Sequence, residues 1–381
     1  MRKEQEMSVA VRERYAPAIG KPKEALLTPS LLLGLDAVQH NIAHVAERLT
    51  GQASLRPHVK SHKCAEIAQL QKKAGGVIGF TVATLWEALA LHAAGLNDFL
   101  IANQIVGAEK CRHLAQAARD MQIMVAVDDV DNAAQLAAAA TEAGSEIGVL
   151  IEVDTGMNRC GVRSPEAALQ VAEQVADLPG LRLQGVTGYE GHCVLEPNRE
   201  TRTTKAQSAM EYLVGIAQSL RAAGLTIEIV SAGGTGTWDI TGYVPGVTEL
   251  QLGSYVFLDA TRGAYLQGLE YGLTVLASVL SRQGNTLVLD SGRKAISSEF
   301  TLPRIVGYPE EQIRARGPAE EHLLCDVTPA CPLKVGDVVE VIPGYAPLTV
   351  NLHEVYHVVQ NGVVVDIWPV LARGSGRERN F

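Results

Sequence analysis

The chain has 381 residues, 47% of them hydrophobic and 20% charged, with a formal net charge of −9. That balance describes a globular protein and speaks against a nucleic-acid or anionic-membrane partner, since phosphate binding needs a clustered positive face. No run approaches the roughly 20 apolar residues of a membrane span, and the opening MRKEQEMSVAVRERYAP is too charged for a secretory signal, so a cytoplasmic protein is expected.

Single cores seldom grow past about 250 to 300 residues, which points to two domains. Residues 1–28 read as an N-terminal arm. SLLLGLD then leads into AVQHNIAHVAERL, where Val38, Ile42, Val45 and Leu49 recur at helical spacing. The same beat continues through LRPHV, VIGFTVA, DFLIAN, IMVAVD, IGVLIEVD, LQGVTGY, IEIVSAGG and TELQLGSYVF, each followed by a helical or Ala-rich stretch. Apolar strands separated by helices imply a parallel sheet covered on its faces. About eight such units over residues 29–262 predict a (β/α)8 TIM-type barrel in the α/β class. The rival, an open sheet with a dinucleotide site at GGTGTW, fails on spacing, because no GxGxxG is followed by a helix and an acid.

From residue 263 to 381 the texture turns β-rich, with LTVLASVLS, NTLVLDSG and DVVEVIPG as candidate strands. VYHVV and VVVDIWPV flank Gln360-Asn361-Gly362, a hairpin signal because both central residues of a type I′ turn need positive φ. A C-terminal β-domain is therefore expected. The six cysteines are scattered without a CxxC pair and read as free thiols.

In a parallel barrel, chemistry gathers at the C-terminal ends of the strands. There the sequence places Lys60 in RPHVKSHK, DTGMNR ending at Arg159, YEGH holding Tyr189 and His192, SAGGTGT with Gly233, Gly234 and Thr235, and Tyr255. A lysine at the mouth of an apolar strand is paired, solvated, deprotonated or engaged as an imine. His58 and His62 flank it, either orienting a cofactor ring or serving as hydrogen-bonded core residues, while Lys63 reads as a solvent-facing helix residue. SAGGTGT offers backbone N–H groups where a strand turns, a place that accepts phosphate or makes an ordinary tight turn. Arg159 either forks an anionic oxygen or pairs with Asp154. An imine-forming lysine, a phosphate cradle and an arginine for a phenolate together describe a pyridoxal 5′-phosphate site.

On TPSLLLGLDAVQHNI, RPHVKSHK, DTGMNRCGV, SAGGTGTW, TELQLGSYVFLD, LVLDSGRKAISSE and LTVNL, the sequence resembles the fold-type III pyridoxal phosphate enzymes related to alanine racemase. Within them it is most similar to the group of D-threonine aldolase, 3-hydroxyaspartate aldolase and D-serine dehydratase. The resemblance implies that Lys60, not Lys63, binds the cofactor covalently and that Arg159 lies by its 3-oxygen. It also implies that Gly233, Gly234 and Thr235 hold the phosphate, with Tyr189 and Tyr255 nearby. It further implies a homodimer in which one subunit's β-domain closes over the other's barrel.

One segment departs from that pattern. Family members acting on β-hydroxy amino acids carry a histidine plus a cysteine or aspartate before TVNL as ligands to a divalent metal, whereas this chain reads PGYAPLTVNL. Tyr345 and Pro347 stand at those positions and neither is a usual ligand, so no metal is expected. His353 and His357 lie too far apart along a strand for an easy chelate. The expected activity is a lyase acting on a D- or β-hydroxy amino acid by retro-aldol cleavage or β-elimination, with Tyr345 or His192 moving the proton. The alternatives are a racemase or epimerase, a non-catalytic pyridoxal phosphate carrier and, more distantly, a barrel hydrolase.

Overall fold

The computed structural model describes residues 2–374, so Met1 and residues 375–381, the outer ends of the expected arm and β-domain, lie outside the described residues. Eight short parallel strands carry the barrel: β2 (Ser54–Leu55), β3 (Phe80–Val82), β4 (Asp98–Ile101), β5 (Gln122–Val127), β6 (Ile147–Glu152), β7 (Leu181–Thr187), β8 (Ile229–Ala232) and β9 (Glu249–Leu250). They pair in the order β2-β9-β8-β7-β6-β5-β4-β3. Parallel bridges from Leu55 to Val77 and from His58 to Thr81 join the two ends, so the sheet closes and the open-sheet rival falls. The apolar runs are continuous because each strand is covered outside by helices and inside by its neighbours; all six residues of β6 are buried.

SLLLG is the exception. Strand β1 (Ser30–Gly34), expected in the barrel, pairs antiparallel with β10 (Leu273–Gln283) and parallel with β16 (Val355–Gln360) in the second sheet. Its three leucines are buried on both faces there too, so hydrophobicity alone does not distinguish the two destinations. The helix that follows, Leu35–Arg48, buries Val38, Ile42 and Val45 as their spacing predicts.

Among the described residues, the second sheet has nine strands. The remaining members are β11 (Thr286–Leu289), β12 (Arg304–Ile305), β13 (Ile313–Pro318), β14 (Leu323–Val327), β15 (Val338–Ile342) and β17 (Val363–Pro369). Their order is β13-β14-β11-β10-β1-β16-β17, with β15 paired to β10 and β12. The Asn-Gly hairpin forms as read: Asn361 and Gly362 adopt φ of 51° and 76°, and Gln360 faces Val363 across the turn.

A seam joins this sheet to the barrel mouth. Ala260 N–H donates to the Pro343 carbonyl at 3.0 Å, and the Thr261 hydroxyl donates to the Gly344 carbonyl at 2.7 Å. Ala346 N–H reaches the Asp259 carboxylate at 3.3 Å. These bonds set Tyr345 over the barrel. Among the described residues, no helix is long and apolar enough to cross a membrane.

Candidate active site

A cavity of about 260 Å³ opens at the C-terminal ends of the strands, lined by Lys60, His58, Arg159, Tyr189, Gly233, Gly234, Thr235 and Tyr345 among others. Lys60 sits in a single 3-10 turn, Val59–Ser61, just beyond β2. Its backbone N–H donates to His58 Nδ1 at 3.4 Å. Burial is the main force lowering the Lys60 ammonium to about 8; Glu87 opposes it, while Arg159, Lys63 and Arg262 add to it. Burial likewise holds His58 well below its usual range, with the Lys60 and Lys63 cations adding to the effect, so its ring is neutral.

A lowered ammonium has a kinetic signature. Only the uncharged amine attacks an aldehyde, so the rate of pyridoxal phosphate uptake should rise about tenfold per pH unit up to about pH 8 and flatten above it. An ordinary lysine would keep climbing to about pH 10. Stopped-flow absorbance against pH reads the bend directly.

Lys63 does not face solvent on a helix. It is buried in a left-handed turn at φ 50°, its Nζ donating to the Lys60 carbonyl at 2.6 Å and lying 3.6 Å from Glu87. His62 is fully buried, which drives its pKa to about 3, so it serves the core rather than the cavity.

Arg159 follows β6 and leans across Tyr189, its guanidinium 5.8 Å from the ring centroid; Lys60 Nζ approaches the same ring at 5.9 Å. Its acidic neighbour is Glu152 at 3.8 Å, not Asp154. Asp154 accepts from Gly156 and Asn158 N–H, each at 3.0 Å, and pairs with Arg163 at 3.2 Å, so it shapes the DTGMN turn. Glu152 also takes a hydrogen bond from Gln104, a partnership the sequence did not reveal.

The glycine turn after β8 is built on a buried carboxylate. Glu190, fully buried, accepts from Gly233 N–H at 3.2 Å and from the Thr237 and Thr241 hydroxyls at 2.6 Å each. Gly233 adopts φ +90°, and a Cβ on Gly234 would lie 2.9 Å from the Tyr189 ring. Thus Tyr189 packs directly beneath the turn.

Two expected residues are not gathered here. Tyr255 is fully buried behind the cavity, its hydroxyl accepting from Gln71 at 3.0 Å; its neighbour Ser254 lines the cavity instead. His192 is exposed and lines a separate cleft with Asp154, Arg163 and Tyr212, so it stands apart from Lys60. Tyr345 does line the cavity, supplied by this chain's own β-domain rather than by a partner. Its ring meets Phe300 edge-on at 5.1 Å and the Arg262 guanidinium at 5.4 Å. Arg262 in turn is held by Asp259 at 2.7 Å. Arg262 lies outside the quoted motifs and Asp259 closes TELQLGSYVFLD, yet only the seam between barrel and β-domain brings them to Tyr345.

Residues 33–260 match the family described as alanine racemase, N-terminal domain, and residues 272–359 match the putative serine dehydratase domain. A D-threonine aldolase from Arthrobacter sp is 37% identical, with 94% of this chain and 96% of the relative covered. The chain belongs to the alanine racemase-like family. A D-threo-3-hydroxyaspartate dehydratase from Delftia sp. (strain HT23) is 34% identical, covering 71% of this chain and 73% of that relative. The crystal structure of D-threonine aldolase from Filomicrobium marinum superposes with a TM-score of 0.89 at 33% identity, covering 93% of this chain and 98% of the other.

The family's cofactor is pyridoxal 5′-phosphate, and the residues of this alanine racemase-like chain fit it. A partly uncharged amine, a glycine turn with no room for side chains and an arginine share one cavity. At the two positions where the resemblance expects ligands to a divalent metal stand Tyr345 and Pro347. A cation at Tyr345 would face the Arg262 guanidinium, and Pro347 offers no donor. His353 Nε2 donates to the Ala295 carbonyl at 2.8 Å and His357 Nδ1 to the Leu31 carbonyl at 3.2 Å. No group of three or more His, Cys, Asp or Glu side chains gathers for a metal among the described residues.

Proposed function

We propose that the chain is a pyridoxal phosphate-dependent lyase acting on a D-configured or β-hydroxy amino acid without a metal, as a cytoplasmic homodimer. The observation that carries this reading is the Lys60 amine, lowered to about 8, in one cavity with a glycine turn and Tyr345. When bound, the cofactor supplies an electron sink conjugated to the substrate's Cα. Lys60 supplies the amine that tethers the cofactor and, once displaced by substrate, a base for the Cα proton. Gly233, Gly234 and Thr235 line the side of the cavity where the phosphate would lie against a turn without bulky side chains, and Arg159 would fork the phenolic oxygen. Tyr189 forms the wall between those two contacts, and His58, kept neutral, orients the Lys60 turn. The β-domain's gift of Tyr345 to the cavity favours catalysis over mere carriage of the cofactor.

Dimerisation is supported by Phe300 and Leu348, which lie beside Tyr345 and are 57% and 47% exposed. The test is a panel of D- and L-β-hydroxy amino acids assayed for aldehyde, ammonia and enantiomer, with and without a chelator. Fragment release from D-substrates, unchanged within about twofold by chelation, is expected. Interconversion of enantiomers without fragments would instead establish a racemase, and loss of turnover on chelation would restore the metal.

A further inference from the structure

The wall facing Lys60 decides which bond is handled. Tyr345 is the one β-domain residue lining the cavity among the described residues, and it comes with a donor, not with a base. Arg262 lies 5.4 Å from its ring centroid and its Nε is buried without a hydrogen-bond partner. Asp259 is sealed: its carboxylate, 0% exposed, accepts from Arg262 N–H at 3.0 Å, from Arg262 Nη1 at 2.7 Å and from Ala346 N–H at 3.3 Å. The remaining groups acting on the phenol are Tyr189, across the cavity, and the exposed Glu299 next to Phe300. Both histidines that follow are bonded to backbone carbonyls. No carboxylate or imidazole of the β-domain therefore lines the cavity among the described residues.

We propose that Tyr345 is the acid that protonates a departing β-hydroxyl, positioned by Asp259 and Arg262, so that the chain works by β-elimination and yields ammonia and a 2-oxo acid. This rests on the lyase reading above and narrows it. Burial is the largest influence on the phenol and raises it; Arg262 lowers it and Asp259 raises it, leaving it above its ordinary value and protonated through neutral pH. Retro-aldol cleavage needs a group that removes the β-hydroxyl proton, and elimination needs one that gives a proton. The phenol is equipped to give. Once it has given, Arg262 stands beside the phenolate.

The ledger balances. The Cα proton passes to Lys60 Nζ, the pair it leaves forms the Cα–Cβ double bond, the Cβ–O bond breaks, and the oxygen departs as water with the Tyr345 proton. The resulting enamine tautomerises to an imine and adds one water, releasing ammonia and the 2-oxo acid. The proton gained by Lys60 and the one lost by Tyr345 cancel through solvent, and no oxidant is required.

Holoenzyme given D-threonine and D-serine should release ammonia and 2-oxo acid in equal amounts, without acetaldehyde. Acetaldehyde and glycine from D-threonine would overturn the proposal while leaving the lyase reading intact; no fragment from any substrate would sink the lyase reading itself. Tyr345→Phe keeps the ring on Phe300 and removes only the proton, so D-serine turnover should fall about 10²- to 10³-fold. Turnover of β-chloro-D-alanine, whose chloride leaves without a proton, should stay within a few-fold. An equal loss on both substrates rejects Tyr345 as the acid. Arg262→Lys should hold D-serine turnover within about tenfold and Arg262→Gln should not, as loss of one partner's charge strands Asp259. If the glutamine variant fails to fold, the lysine and phenylalanine variants still decide the matter.

Discussion

Lys60→Ala protein, soaked with pyridoxal phosphate and treated with borohydride, should carry no reduced label, and its turnover should fall by about 10³-fold or more. The loss combines a tether and a proton-transfer group, each worth orders of magnitude. Lys63 is the natural competitor, only three residues along. Its Nζ, however, is spent on the Lys60 carbonyl at 2.6 Å and on Glu87 at 3.6 Å, and the side chain is buried outside the cavity lining. Peptide mapping of the reduced wild type should therefore place the label on Lys60 alone. A label on Lys63, or a colourless wild type, would remove the basis of the functional assignment.

The second large effect belongs to Glu190→Ala. Its carboxylate gathers Gly233 N–H and two threonine hydroxyls in a site with no exposure, so truncation leaves Gly233 N–H and the Thr241 hydroxyl unanswered and Thr237 with only its longer bond to the Gly234 carbonyl at 3.3 Å. At about 1 to 3 kcal/mol for each stranded group, a loss of about 3 kcal/mol or more in unfolding free energy is expected in urea titration. Cofactor affinity should weaken by about tenfold or more, because the glycine turn loses the anchor that sets its N–H directions. Glu190→Gln keeps an oxygen for the threonines but turns an NH2 toward other donors, and should fall between the two. Unchanged cofactor affinity in the alanine variant would show that the turn holds its shape without this support.

Much of the scaffold was legible because burial on both faces leaves an unbroken apolar run, as in IGVLIEVD, and because Asn361-Gly362 has few other conformational uses. The same signal misplaced SLLLG, since the core of either sheet asks for leucine. Strands β12 to β14 were missed: RARGP is broken by charge, glycine and proline, and reads as a loop until its partner is known. In the site, Lys60, Arg159 and Gly233–Thr235 could be read from local motifs. Their partners could not. Glu190, Glu87, Asp259 and Arg262 acquire their chemistry from contacts across the fold, and His192 and Tyr255 drop out of the cavity because only the path of the backbone decides which way each points.

The placement of Ser30–Gly34 constrains how such an enzyme can be rebuilt. A lid that borrows a middle stave from the start of the chain is not a separable module, although its other staves all come after the barrel. Severing the polypeptide near residue 262 would leave β10 and β16 with bare edges, inviting aggregation instead of two working halves. Anyone grafting this lid onto another barrel must carry the five residues from 30 to 34 with it, and recombination at a single crossover cannot do that.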